Sequence, residues 1–206
     1  MRVRGDQAAS EPRCAAAPAG SIARTDAYTS TKDDIAMHQD RSATDPAPAS
    51  AARMVDLLAA IRGPEDLSPE RLQALSGLPV TSAPDDPRRY GAGLAIDAQW
   101  IFNIAALPGR DDAPTRIVVA YDRQTPDAAD APDGAPAFEA CAGTLCAAGF
   151  VQTTIPGPRG VRYGDRFERD GVRIDLQTER DGSGLLRVVR AFIDTPVAAT
   201  AEVGHG

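Results

Sequence analysis

The chain has 206 residues, room for one ordinary domain or two small ones. It is 43% hydrophobic, 5% aromatic and 25% charged, with a formal net charge of -7. That acidic, aromatic-poor balance argues against non-specific nucleic-acid binding, which needs clustered Lys and Arg and stacking rings. It contains no apolar run of about 18 residues, so no membrane-spanning helix is expected.

Residues 1–49 are rich in Ala, Ser, Asp, Thr and Pro and show no hydrophobic period. Such a segment buries too little apolar surface to offset its ordering entropy, and a disordered tail is expected there. Met1-Arg2-Val3-Arg4 is followed by Gly5-Asp6-Gln7 rather than an apolar stretch, so no signal peptide is read. The expected compartment is then the cytoplasm. An over-long gene start, with Met37 or Met54 nearer the true beginning, would leave a periplasmic location open.

A folded α+β domain is expected over residues 50–194, with halves at about 50–122 and 136–194. Met54, Leu57, Leu58 and Ile61 recur at helical spacing, with Ser50 as cap and Gly63-Pro64 as the stop. A second helix starts at Ser68 as N-cap with Pro69 at the first helical position. Leu67 and Leu72 form a hydrophobic staple across that start, and Gly77 ends the helix. A polar loop over 82–88 follows. The period then changes to two, predicting strands at 90–96, 99–107 and 115–122. Residues 123–136 form a loop whose Asp127, Asp130 and Asp133-Gly134 lack the calcium-loop pattern, so it is read as solvated.

A third helix is predicted over 136–148, with Phe138, Cys141 and Leu145 inward and a Schellman ending at Gly149 and Phe150. Strands are predicted at 150–155, 160–169, 172–179 and 185–194. Asp170-Gly171 makes a two-residue hairpin turn. It sets Glu168 opposite Arg173, Phe167 opposite Ile174 and Arg166 opposite Asp175, so charges share one face and apolar residues the other. The 181–184 turn leaves its register open. Residues 195–206 read as a second loose tail. The architecture expected is an antiparallel β-sheet with helices packed on one face, its halves candidates for two related αβ-meander units.

Residue types narrow the chemistry. Lys32, His38 and His205 are the whole supply of lysine and histidine, and all lie in the expected tails. A histidine-based triad, a Schiff-base lysine and a GxxxxGK phosphate loop therefore have no material in the domain. The three cysteines fall short of the four an all-thiolate zinc site needs. Cys141 and Cys146, five apart on a helix, point roughly 140° apart. Cys141 is read as core, Cys146 as a semi-exposed free thiol, and no disulfide framework is expected. No catalytic residue, metal site or cofactor is expected. Residues 51–149 carry 14 acids against 8 arginines, whereas residues 150–194 carry 7 acids against 8 arginines.

The run Leu67-Ser68-Pro69-Glu70-Arg71-Leu72, then Leu75-Ser76-Gly77-Leu78-Pro79, Tyr90, Trp100 and Val119-Ala120-Tyr121-Asp122, resembles a known unit. It is similar to the αα-β-meander of SmpA/OmlA-type outer-membrane lipoproteins and of β-lactamase inhibitor protein, across residues 66–122. The usual Gly-Met-Thr start is Asp66-Leu67-Ser68 here, and no lipidated cysteine precedes it. The overall style also resembles bacterial effector-immunity proteins. The resemblance implies binding without catalysis.

The function expected is a protein-binding domain, an inhibitor or immunity protein for a secreted effector or hydrolase. Candidate partner-binding residues are Tyr90, Trp100, Phe102, Tyr163 and Arg166, because aromatic and Arg anchors dominate such interfaces. Trp100 and Phe102 suit a core better than a binding surface. The alternatives are a cell-envelope assembly scaffold, which requires export, and an enzyme using carboxylates or Cys146.

Overall fold

A computed structural model describes residues 47–108, 116–126, 131–132, 134–157 and 162–195. Most of the two expected tails, and Asp127, Asp130 and Asp133, lie outside the described residues. The elements run α1 (Ala47–Ala60), a 3₁₀ turn (Pro64–Leu67), α2 (Pro69–Ser76), β1 (Thr81–Ser82), β2 (Tyr90–Ala95), β3 (Trp100–Leu107) and β4 (Arg116–Arg123). There follow α3 (Phe138–Ala147), β5 (Val151–Pro156), β6 (Arg162–Arg169), β7 (Val172–Arg180) and β8 (Leu186–Asp194). All strand pairs are antiparallel, and the strands form one sheet in the order β1-β2-β3-β4-β8-β7-β6-β5. Each half is thus a four-stranded meander preceded by helix, and the halves meet through their last strands.

The helices form where the local signals lie. Met54, Leu57, Leu58 and Ile61 are fully buried. The Ser68 hydroxyl accepts the Arg71 N–H, and Leu67 and Leu72 bury the staple. Gly77 closes α2 in the left-handed region at φ 67°, where a side chain would be strained. At α3 the Phe150 N–H bonds the Leu145 carbonyl and the Gly149 N–H bonds the Cys146 carbonyl, the two bonds of a Schellman motif. Asp170 and Gly171 take positive φ, as a type I′ turn demands. The β6–β7 register sets Glu168, Phe167 and Arg166 against Arg173, Ile174 and Asp175.

Three details depart from expectation. Ser50 is not the cap of α1: the helix begins at Ala47, and the buried Ser50 hydroxyl instead bonds the Tyr121 hydroxyl at 3.2 Å. The expected polar loop starts with a short strand, β1, because Thr81 and Ser82 pair with Gly91 and Tyr90. The end of the 123–136 loop is not solvated. Ala135 is buried, its carbonyl accepts from Arg187, and the Pro136 carbonyl accepts the Val188 N–H.

One hydrophobic core unites both halves. It joins α1, α2 and α3 to Leu94, Phe102, Ile104, Ile117, Val119 and Tyr121 of the first meander and to Phe167, Ile174, Leu176, Val188 and Ile193 of the second. Alternate positions such as Asn103, Asp122, Arg166, Asp175 and Arg190 stay outside that core. Side chains alternate along a strand, so the helices cover one face and these residues occupy the other. Arg169 adds a polar clasp: its guanidinium bonds the Ile61 carbonyl at 2.6 Å and the Ala148 carbonyl, and lies 4.2 Å from the Phe150 ring. A cation at the exits of α1 and α3 complements both helix dipoles.

Phe102 is completely buried, with its ring 5.4 Å from that of Tyr121. Phe102→Ala should therefore cost about 3–5 kcal/mol of stability in urea unfolding. Arg169→Met, which keeps the stem but removes the carbonyl partners, should lower Tm without changing the far-UV spectrum.

Candidate interaction surface

The face opposite the helices is built by alternation in β3, β4 and β6 to β8. Val118 of β4 lies across from Phe192 of β8, and both side chains are half-buried. Charged residues bracket this apolar pair. At one end Arg116 of β4 grips Asp194 of β8 with two bonds of 2.7 and 2.8 Å. At the other end the polarity reverses: Arg190 of β8 bonds Asp122 of β4 at 3.1 Å, and Asn103 bonds the other Asp122 oxygen at 3.1 Å. The Arg116 guanidinium also lies 5.5 Å from the Phe192 ring. Farther out, Arg166 and Asp175 form a second two-bond pair at 2.7 and 2.9 Å, and Arg173 reaches Glu168 at 3.0 Å. Forked guanidinium–carboxylate contacts of this kind fix geometry as well as charge. The Asp175 bond also raises the pKa of Arg166, outweighing the opposing effect of partial burial.

The five candidate binding residues do not form one surface. Tyr90, Trp100 and Phe102 are buried on the helix-covered side. The Tyr90 hydroxyl donates to the Leu67 carbonyl, and the Arg123 guanidinium lies 5.6 Å from the Trp100 ring. Arg166 occupies the helix-free face. Tyr163 is exposed on β6 beside β5, away from Phe192. Phe192, Arg116, Arg190 and Asp194 are not among the residues to which the sequence points. Their alternation with Ala191 and Ile193, or with Ile117 and Val119, was visible, but nothing local says that β4 pairs with β8.

The thiols differ from expectation at one position. Cys141 is free and fully buried, and desolvation pushes its pKa up to about 12. Burial of this kind disfavours the thiolate form of Cys141. Cys146 is not the free thiol expected; it is disulfide-bonded. Among the described residues no group of three or more His, Cys, Asp or Glu is arranged to hold a metal ion, and no helix is long and apolar enough to cross a membrane.

Two carboxylates away from the face hold turns together. Asp181 accepts from the Ser183 hydroxyl, the Ser183 and Leu185 N–H groups and Arg187, and these bonds hold its pKa well below the usual range. Burial opposes ionisation of Asp66, yet the Arg62 N–H and the Arg71 guanidinium win, and its pKa too is lowered. No protein family, no curated protein and no solved structure matches this chain.

Carboxylates with depressed folded pKa values add stability that is present above the unfolded value, near pH 4, and is lost as pH falls below it. Urea midpoints should therefore drop on acidification through that range. Asp181→Asn should be less stable at neutral pH and show a shallower acid loss; an unchanged slope would remove Asp181 from the account.

Proposed function

We propose that the chain is a non-catalytic protein-binding domain, an inhibitor or immunity protein for a bacterial effector or hydrolase, and that its partner docks on the helix-free face around Phe192. The carrying observation is the composition of that face: an aromatic and a valine at the centre, bracketed by arginines and carboxylates of alternating sign. Protein interfaces favour aromatic and Arg anchors within a polar rim. The pairing supports recognition, because guanidinium–carboxylate bonds of this kind present a partner with charges held in a fixed geometry. The resemblance of residues 66–122 to the meander of β-lactamase inhibitor protein and SmpA/OmlA-type lipoproteins points the same way.

A second reading, the envelope assembly scaffold, draws on a different observation. Cys146 is oxidised, and disulfides persist in exported proteins and seldom in a reducing cytosol. Alkylation of the native protein under acid trapping separates the two settings: modification of Cys146 would place the chain in a reducing compartment.

The direct test is capture with the full chain from lysate and secreted material of its source. The expected outcome is a stoichiometric enzyme whose activity falls on binding. Phe192→Ala combined with Arg166→Ala should weaken that binding by at least about tenfold, or 1.4 kcal/mol, with Tm little changed. Equal affinity in the double variant would move the site elsewhere, and a captured envelope assembly factor with no inhibition would favour the scaffold.

A further inference from the structure

The two ends of the sheet are finished differently. β1 is only two residues long and runs into Pro84-Asp85-Asp86-Pro87. Short strands, charges and prolines are the usual guards against edge-to-edge pairing. β5, at the other end, is six residues long, Val151-Gln152-Thr153-Thr154-Ile155-Pro156, and carries no charge; Pro156 and the register shift between Ile155 and Pro156 guard only its last position, leaving Val151 to Ile155 as a regular edge. Four of those residues are β-branched, and Val151, Thr153 and Thr154 are exposed. Val151 and Tyr163 are two of the three exposed large hydrophobics among the described residues, the third being Leu185 in the β7–β8 turn. They flank β5: Val151 opens the strand, and Tyr163 lies on β6 next to the Ile155–Gly164 pair at its far end.

From this we infer that β5 is the docking edge for a second copy of this chain, through an antiparallel β5–β5 pair that continues the sheet across a two-fold axis. The segment is complementary to itself. Centred on Thr153, the pairing sets Thr153 against Thr153, Gln152 against Thr154 and Val151 against Ile155 of the second copy. Thr–Thr and β-branched pairs of this kind are favourable across strands. The two-fold axis brings the Val151 end of each copy to the Ile155 end of the other, so β-branched apolar side chains meet twice, as an isologous interface requires. Charge permits it as well: the half bearing β5 has 7 acids against 8 arginines, whereas the preceding residues 51–149 have 14 against 8 and would repel a copy. A six-residue edge lies at the small end of specific interfaces, so the dimer should exchange with monomer at micromolar concentrations.

Sedimentation of the full chain over a micromolar series tests this. The weight-average mass should rise from 21.6 kDa toward twice that value, and amide exchange over 151–156 should slow with concentration while that of β1 does not. Thr153→Lys sets two ammonium groups together at the axis and should return the chain to monomer with unchanged Tm. Val151→Lys, at the strand's end, should do the same by a separate contact. A wild-type chain that stays monomeric throughout, including one whose β5 amides slow only on addition of another protein's strand, overturns the inference. So does a dimer that survives both substitutions.

Discussion

The β4–β8 seam is the constraint on which the molecule depends. Only four ladder pairs, Ile117 to Ala120 against Ile193 to Arg190, join the two meanders. Every other strand pairing lies within one half. The seam succeeds because it is held from both sides. Beneath it Ile117, Val119, Ala191 and Ile193 enter the common core; above it two arginine–carboxylate pairs of opposite polarity close its ends. Buried apolar area supplies most of the energy, since partly exposed ion pairs are worth little on their own. The ion pairs fix register instead. Sliding β8 by one residue would carry Arg190, Phe192 and Asp194 into the core and expel Ala191 and Ile193.

This arrangement explains why the interaction surface and the architecture are the same object. The residues that lock the seam on the helix-free side are also those a partner would meet there. Phe192 is flanked by strand pairing on both sides, by Val118 and Asp175. Arg169 extends the coupling to the helices: it lies on β6, in the second half, yet holds the exit of α1 in the first.

The sequence disclosed most of what is local. The Ser68 cap, the Gly77 stop, the Schellman ending of α3 and the Asp170-Gly171 hairpin each rest on a few neighbouring residues, and each formed where their chemistry required. Alternation likewise marked Phe167 and Ile174 as inward and Arg166 and Asp175 as outward. Hidden from it were features set by partners distant in the chain. The role of Ser50 depends on Tyr121, β1 exists only because Tyr90 and Gly91 lie beside it, and Cys146 forms a bond that helical spacing could not reveal. The candidate surface fell in the same class. Tyr90, Trp100 and Phe102 stand out in the sequence as aromatics, but the face each strand turns to the helices depends on the assembled sheet, and Phe192 gains its position only through the seam.

The seam also sets a timetable. Hairpins within each half close short loops, whereas Arg116 meets Asp194 across 78 positions and Arg169 meets the Ile61 carbonyl across 108. Long closures carry the larger entropic cost and come late. On the ribosome the first meander emerges with the flank of β4 bare until β8, near the end of the chain, arrives to cover it. For that interval the first half carries an open, aliphatic strand at what becomes the middle of the sheet, and β4 gains its second neighbour only once β8 has been made.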